Sequence, residues 1–272
     1  NPWLSPDEKR VAVARVEPQG ESDIWLIELA GSTPPTRFTF DPGNDGSPIW
    51  SPDGSRIVFS SSRDGPTNLY QRAASGVGND EALLKSDNMK FPTDWSADER
   101  FILYQEQNQK TNFDLWVLPL TGEQKPFPLL QTESDERQGR FSPDGKWIAY
   151  ASNELGPWHV YVQSFPASGG KWQVSTNGGA QPHWRRDGKE LFYLSPDRKL
   201  MAVEVKGNGP TFEAGVPKAL FDLRIQTVGL PGPRNFYVVS GDGRRFLVTS
   251  APEERITTPT TVVMNWTADV KR

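Results

Sequence analysis

Short apolar stretches alternate with polar turns along the whole chain. Runs such as Ile57–Ser60, Phe101–Tyr104 and Trp147–Ala151 are almost continuously apolar. Such runs are typical of strands that neighbouring sheets cover on both faces. Gly and Pro interrupt every window long enough to hold a helix, so the pattern predicts an all-β protein.

Each apolar strand follows a tight turn of one sequence type. In the clearest copy, Trp50-Ser51-Pro52-Asp53-Gly54, one strand ends at the Trp and the next begins after the Gly. Pro presets φ at the second turn position and Gly relieves crowding at the exit, as a type I turn requires. Five further copies are centred on Asp7, Asp98, Asp144, Asp187 and, in a degenerate form, Asp242.

The turn aspartates lie at 7, 53, 98, 144, 187 and 242, so they step by 46, 45, 46, 43 and 55 residues. A period near 45 with several strands per repeat indicates a β-propeller with one blade per repeat. We therefore predict a single domain over residues 1–272, an all-β six-bladed propeller of four-stranded antiparallel blades. The predicted blades cover residues 1–42, 43–87, 88–133, 134–177, 178–222 and 234–267, with a long loop at 223–234.

The last predicted blade is incomplete. Its third strand is Thr261–Trp266, and the residues after it are too few for a fourth strand. Propellers usually close by combining strands from both ends of the chain in one blade, which protects its edge. We expect a three-stranded sixth blade, and a longer parent chain that supplies the missing strand upstream of Asn1.

Composition excludes several classes of function. The formal net charge is −4, so the chain has no basic excess of the kind that binds nucleic acid. Cysteine is absent, which excludes disulfides and thiolate metal sites. No apolar run reaches the roughly 18 residues of a transmembrane helix, so we expect no membrane contact by this domain itself.

The segment Pro48–Tyr70 resembles the repeat of TolB-type propellers. It carries the Trp-Ser-Pro-Asp-Gly turn, an apolar strand, a Ser-x-Arg-x-Gly loop with Arg63 and Gly65, and an aliphatic–Tyr strand. The resemblance extends over the whole chain and is poorest in the last repeat. TolB itself has an additional small α/β domain with no counterpart here, so the resemblance does not imply the partners of TolB.

Three other segments resemble the C-terminal propellers of bacterial receptor-type serine/threonine kinases. They are Gly169–Ser175, Trp184–Tyr193 and Val262–Trp266. This resemblance implies a periplasmic or extracellular domain for sensing or docking. The chain has no kinase motif and no Gly-x-Ser-x-Gly elbow, so we predict no catalytic residues.

Variation among the repeats predicts where a ligand would bind. Ligand sites in repeat folds lie on the variable loops of one face. In this chain the residues just before each repeat aromatic differ between repeats, and several of them are polar. We expect these polar residues, which include Gln138 and Gln181, not to be needed by the fold, and nearby loops add further polar residues. The candidate site at the channel mouth comprises Asp45, Ser47, Arg63, Lys90, Asp94, Gln138, Arg140, Trp158, Gln181 and His183. The alternative is an unspecific set of polar groups lining a wet channel.

Metal sites have little support in the sequence. We expect the turn aspartates to accept hydrogen bonds from backbone N–H groups of their own turns. The segment Asp41–Gly46 is similar to the start of a calcium loop, but Gly43 and Pro52 stand where acidic or polar ligands belong. We predict no cofactor and no metal, with calcium as the one alternative.

The sequence is compatible with three functions. The first is a non-enzymatic propeller that binds a protein, a peptide or a small polar ligand within a larger bacterial protein. The second is a lactonase- or lyase-type enzyme with a channel-bound metal, for which Asp45, Asp94 and His183 are the available ligands. The third is a structural scaffold that docks a partner on its flat face.

Overall fold

The computed structural model of the protein describes residues 1–18, 20–167, 169–208, 211–225, 235–250 and 261–263. Every regular element in these ranges is a strand, which confirms the all-β class. By its internal packing the chain divides into two compact units, residues 1–133 and 134–272. The described residues include no helix long and apolar enough to cross a membrane.

The unit of residues 1–133 contains three four-stranded antiparallel sheets, each formed by strands that follow one another along the chain. The first sheet is β1 (Pro2–Leu4), β2 (Arg10–Val16), β3 (Ser22–Glu28) and β4 (Thr36–Arg37). The second is β5 (Asp45–Trp50), β6 (Arg56–Ser61), β7 (Asn68–Ala73) and β8 (Glu81–Leu84). The third is β9 (Lys90–Trp95), β10 (Phe101–Asn108), β11 (Asn112–Pro119) and β12 (Phe127–Leu130).

The unit of residues 134–272 contains two further blades and a smaller sheet. The first blade is β13 (Glu136–Phe141), β14 (Trp147–Ser152), β15 (His159–Ser164) and β16 (Lys171–Gln173). The second has five strands, β17 (Ala180–Trp184), β18 (Glu190–Leu194), β19 (Lys199–Asn208), β20 (Thr211–Ala214) and β21 (Lys218–Asp222). The smaller sheet is β22 (Tyr237–Val239), β23 (Phe246–Ser250) and β24 (Thr261–Val263).

These sheets are antiparallel propeller blades, and the described residues contain five complete ones rather than six. The second strand of each repeat lies where the sequence predicts it, within β2, β6, β10, β14, β18 and β23. The sixth sheet has three strands within the described residues. Residues 264–266 of its predicted third strand, and residues 226–234 of the predicted long loop, lie outside them.

The repeated turn has the predicted hydrogen bonds. Ser51 Oγ donates to Asp53 Oδ1 at 2.5 Å, and the same carboxylate accepts the backbone N–H of Ser55 at 3.0 Å. The N–H of Gly54 closes the turn on the Ser51 carbonyl at 2.9 Å. Equivalent backbone bonds reach the other five turn aspartates, Asp7, Asp98, Asp144, Asp187 and Asp242, which confirms the prediction.

The fourth turn residue explains the preference for glycine. Its φ is positive in all six turns, a conformation that costs a side-chain-bearing residue about 1–2 kcal/mol. Glycine occupies the position in four turns and glutamate in two: Gly54, Gly145, Gly188, Gly243, Glu8 and Glu99.

The repeat tryptophan connects consecutive blades. Trp50 is 3 % exposed and packs with Phe59 and Tyr70 of its own blade and with Ile24 and Phe38 of the preceding blade. Its indole N–H donates to the carbonyl of Trp3 at 3.2 Å. In the second unit, the Trp184 indole donates to the Arg140 carbonyl in the same way, also at 3.2 Å. Each of these contacts joins one repeat to the one before it.

Strand β20 is a feature that the sequence pattern did not predict. The first residues of β19, Lys199–Ala202, pair with β21, and its last residues, Val205–Asn208, pair with β20. Phe212 of β20 is 3 % exposed and its ring lies 5.3 Å from Trp147 and 5.9 Å from Trp172, on the preceding blade. One buried phenylalanine among exposed residues gives no strand periodicity, so only this long-range contact identifies β20.

Replacing Trp50 by alanine tests the packing between blades. Because Trp50 is 3 % exposed, we expect the change to lower the free energy of unfolding by about 3–5 kcal/mol. Phe127, which is 39 % exposed, is the matched control, and Phe127→Ala should cost less than about 1 kcal/mol. Urea denaturation measures both, and equal losses would contradict the assigned register.

The Asp53 turn predicts a dependence of stability on pH. The hydrogen bond from Ser51, followed by those from Ser55, lowers the pKa of Asp53 from 3.8 to about 2. A depressed folded-state pKa stabilises the fold above the unfolded pKa, and this contribution is lost as the pH falls through the folded pKa. Asp53→Asn should therefore be less stable than wild type at pH 7, with a difference that shrinks between pH of about 4 and about 2. Denaturation midpoints of both proteins across this pH range measure the difference in stability. A difference that does not change with pH would refute the prediction.

Candidate functional site

Three predicted site residues occupy one unusual backbone position. Ser47, Gln138 and Gln181 lie at equivalent places on the first strand of their blades and have φ values of 47°, 58° and 58°. At each of them the register with the second strand shifts, as in a β-bulge. Bulges redirect side chains at the rims of sheets. Pro92 takes this place in the third blade, where proline's ring excludes a positive φ.

The two glutamines connect the blades of the second unit. Gln138 Oε1 accepts the backbone N–H of Gln181 at 2.8 Å, and Gln181 Oε1 accepts that of Phe236 at 2.8 Å. Gln138 is 4 % exposed and Gln181 is fully buried. The expectation that these side chains are dispensable for the fold is therefore wrong, because they satisfy backbone donors of the next repeat. Ser47 Oγ accepts the side-chain N–H of Asn1 at 3.0 Å in a similar contact.

Arg63 and Asp45 meet in a cluster of charges in the first unit. The Arg63 guanidinium lies 2.5 Å from Asp41, 2.6 Å from Asp80 and 3.4 Å from the fully buried Asp45. It also lies 4.6 Å from the centroid of the Tyr70 ring. Burial raises the pKa of Asp45 and of Asp80, and the charge of Arg63 opposes both shifts. In the segment that is similar to a calcium loop, a guanidinium thus provides the positive charge beside these carboxylates.

Lys90 is the next buried charge along the chain. It is 1 % exposed, and its ammonium contacts Ser86 Oγ, the carbonyl of Asn88 at 2.7 Å and Glu106 at 3.4 Å. Burial lowers the pKa of Lys90, and Glu106 opposes this shift. Within the first unit Lys90 therefore has a structural ion pair. Asp94 lies on the same strand, β9, and its partner in the register is Leu103.

Trp158 belongs to a second arginine–carboxylate contact. Arg137 forms a bidentate pair with Asp135, with bonds of 2.7 and 2.6 Å, and its guanidinium lies 5.9 Å from the Trp158 ring centroid. Asp135 is 5 % exposed. The Trp158 carbonyl accepts the N–H of Gly179 at 2.8 Å, which fixes its loop to the entry of β17.

Arg140 and His183 are two predicted site residues whose side chains contact each other. Arg140 of β13 is 4 % exposed, and its Nη2 lies 3.4 Å from Nε2 of His183 on β17. The half-buried imidazole packs on Tyr237 of β22, with 4.8 Å between ring centroids. The fully buried Tyr237 donates its hydroxyl hydrogen to the Gln181 carbonyl at 2.7 Å. Three successive sheets thus hold one imidazole in a fixed position.

The electrostatics of this group follow from its burial. Burial, and after it the charge of Arg140, lowers the pKa of His183 well below its ordinary value. Burial also raises the pKa of Tyr237 well above the usual range. At neutral pH the group therefore consists of a permanent cation, a neutral imidazole and a neutral phenol.

The structure brings the predicted residues together in pairs. These pairs are Asp45 with Arg63, Gln138 with Gln181, and Arg140 with His183. Sequence reasoning missed Tyr237, Asp80 and Glu106. The position of Tyr237 beside Phe236 in the last repeat was the available signal for the first of these, whereas Asp80 and Glu106 lie outside the repeat motif.

The family follows from a comparison with sequence models of known domains. Residues 1–138, just over half of the chain, match the model described as the TolB beta propeller domain. The chain belongs to the TolB β-propeller family. The matched region contains the Ser-Pro-Asp-Gly turn at Asp53 and the loop that carries Arg63. The same turn sequence occurs again after this region, at Asp144.

One curated relative of this TolB-family propeller is the Tol-Pal system protein TolB of Alcanivorax borkumensis. It is 37 % identical over 65 residues, which are 24 % of this chain and 15 % of the relative. TolB of Helicobacter pylori is 27 % identical over 150 residues, 54 % of this chain and 35 % of the relative. The chain therefore matches about a third or less of the length of these two proteins.

Solved structures with the same fold include both a TolB and an enzyme. TolB from Acinetobacter baumannii has a TM-score of 0.70 at 14 % identity, covering 90 % of this chain and 59 % of that one. An oligogalacturonate lyase in complex with manganese has a TM-score of 0.60 at 12 % identity, covering 91 % and 84 %. At these identities the likeness shows the fold alone.

Gln181 of this TolB-family propeller provides a test of the bonds between blades. Gln181→Ala leaves the Phe236 N–H without its acceptor, so we expect a loss of about 1–3 kcal/mol in the free energy of unfolding. Gln124 is the matched control, since it also has a positive φ, 49°, but is exposed. Gln124→Ala should change stability by less than about 0.5 kcal/mol. Chemical denaturation decides, and equal losses would refute the structural role.

Proposed function

We propose that this TolB-family propeller is a non-catalytic binding module that docks a peptide or protein partner. The observation that carries the proposal is the half-buried His183 held between the buried Arg140 and the buried Tyr237. Arginine and tyrosine on rigid elements are common centres of binding energy in interfaces. A neutral imidazole that already lies in place loses little entropy when a ligand binds.

The proposal includes the context of the module. The family membership and the resemblance to receptor-kinase propellers favour a periplasmic or extracellular part of a larger bacterial protein. We also propose one domain over residues 1–272, in which the sheet of β22, β23 and β24 is the sixth blade. In the same proposal Trp158 belongs to the surroundings of the docking site, whereas Lys90, Gln138 and Gln181 support the fold.

The competing function is a metal-dependent enzyme of the lactonase or lyase type. It requires three or four carboxylates or imidazoles that converge on one point. Within the described ranges no group of three or more His, Cys, Asp or Glu side chains is placed to hold a metal ion. Docking therefore has the better support, and a thermal-shift screen with divalent metals gives the competing function its own test.

Selection of peptides on the whole chain tests the proposal. Random peptides displayed on phage are selected on the wild-type protein, and the enriched peptides are then measured against His183→Ala. We expect their affinity to fall about tenfold or more, which corresponds to the loss of about 1.4 kcal/mol from a central contact. Lys189→Ala, an exposed change in the turn that closes the same hairpin, is the control and should leave affinity unchanged. Failure to enrich peptides, or equal affinity for both variants, would refute the docking site.

A further inference from the structure

The contact between Arg140 and His183 fixes which ring nitrogen carries the proton. A guanidinium has only N–H donors, so in the 3.4 Å contact the Nε2 atom of His183 must act as the acceptor. A neutral imidazole has one N–H group, and it is therefore on Nδ1. Among the described residues, Nδ1 of His183 has no hydrogen-bond partner in the protein.

The groups around His183 give this N–H a positive background. Arg140 lies on its Nε2 side, and the ring of Tyr237 covers one face. The Tyr237 hydroxyl is already engaged with the Gln181 carbonyl. Of the two influences on the pKa of His183, burial and Arg140, neither is a carboxylate. The imidazole thus offers a neutral donor next to a cation, and within the described residues no carboxylate contributes to its pKa shift.

We infer that the His183 Nδ1–H group, with Arg140 behind it, binds a carboxylate oxygen of the docked peptide. This inference rests on the proposed docking function and specifies the ligand's chemistry. A carboxylate is the peptide group that combines a strong acceptor with a negative charge, and a donor beside a cation stabilises it more than a neutral carbonyl. The side chain of Asp or Glu and a free C-terminus both supply it.

The same geometry opposes a metal ion at His183. A metal requires an unprotonated ring nitrogen, and the one that His183 has faces the Arg140 guanidinium. The charge of Arg140 would also repel a divalent cation at this distance. The imidazole that the sequence offered as a metal ligand is therefore a hydrogen-bond donor.

Nitrogen-15 spectra of the histidine side chains test the inference on the intact wild-type chain. The protein has only two histidines, so His159, whose Nδ1 lies 3.1 Å from Ser175 Oγ, is an internal reference. We expect His183 to show the Nδ1–H tautomer at neutral pH. Sodium acetate should shift its Nδ1 signal with a dissociation constant of about 10–100 mM, typical of one charge-assisted hydrogen bond. Acetamide, the neutral analogue of acetate, should leave the signal in place, and His159 should not respond to either.

Variants and further probes complete the test. Arg140→Met retains most of the side-chain volume without the charge, and should weaken acetate binding about tenfold. Since Arg140 is buried and this variant can fail to fold, the wild-type tautomer and the acetate titration stand as tests without it. Short peptides with a free C-terminus, or with one glutamate and an amidated C-terminus, separate the two sources of carboxylate.

Three results would overturn the inference. They are an Nε2–H tautomer of His183, a shift caused by zinc ions but not by acetate, and a stronger response to inorganic phosphate than to acetate. The proposed docking function is tested separately. Loss of peptide binding in His183→Ala without any effect of acetate would retain docking and refute the carboxylate, whereas an acetate shift without enriched peptides would do the reverse.

Discussion

The hydrogen bond between a turn serine and the aspartate two residues later is the constraint on which the repeat depends. Ser51 Oγ donates to Asp53 and accepts the N–H of Arg56, so one hydroxyl closes both the turn and the first pair of the hairpin. Four other turns use the same serine–aspartate bond, at 2.5 to 2.7 Å. In the fifth blade Arg185 replaces the serine and pairs with Asp187 through two nitrogens. The geometry of the turn is thus retained with a different donor.

A fixed turn determines which way the adjoining side chains point. Because side chains alternate along a strand, the residue just before the turn, Trp50 or its equivalent, enters the contact between blades. The indole N–H then reaches a carbonyl of the preceding repeat. The far end of the same strand is less constrained, and there the bulge at Ser47, Gln138 and Gln181 redirects the chain. Polar residues can therefore accumulate at that end without disturbing the core.

The polar residues of these first strands are of two kinds. Gln138, Gln181 and Lys90 are buried and bonded to backbone or to a single counter-charge, so they stabilise the blades that carry them. His183 is only half-buried and keeps one donor for a ligand, while Arg140 determines the tautomer that makes this donor available. In these two blades the bulge residue thus connects the sheets, while the residue just before the repeat aromatic belongs to the proposed recognition group.

The sequence by itself determined the strands, the turns and their period. These are local features, since a Ser-x-Asp turn and an apolar run each act over fewer than about ten residues, and their repetition alone indicates a propeller. It also selected Arg140 and His183 as polar exceptions to the repeat. Only the tertiary structure decided that β20 exists, that Arg63 is surrounded by three carboxylates, and that the glutamines connect blades. The ion pairs and the glutamine bonds join residues 17 to 55 positions apart in the chain, and Phe212 of β20 packs on Trp147, 65 positions earlier. At such separations one sequence carries no information about proximity.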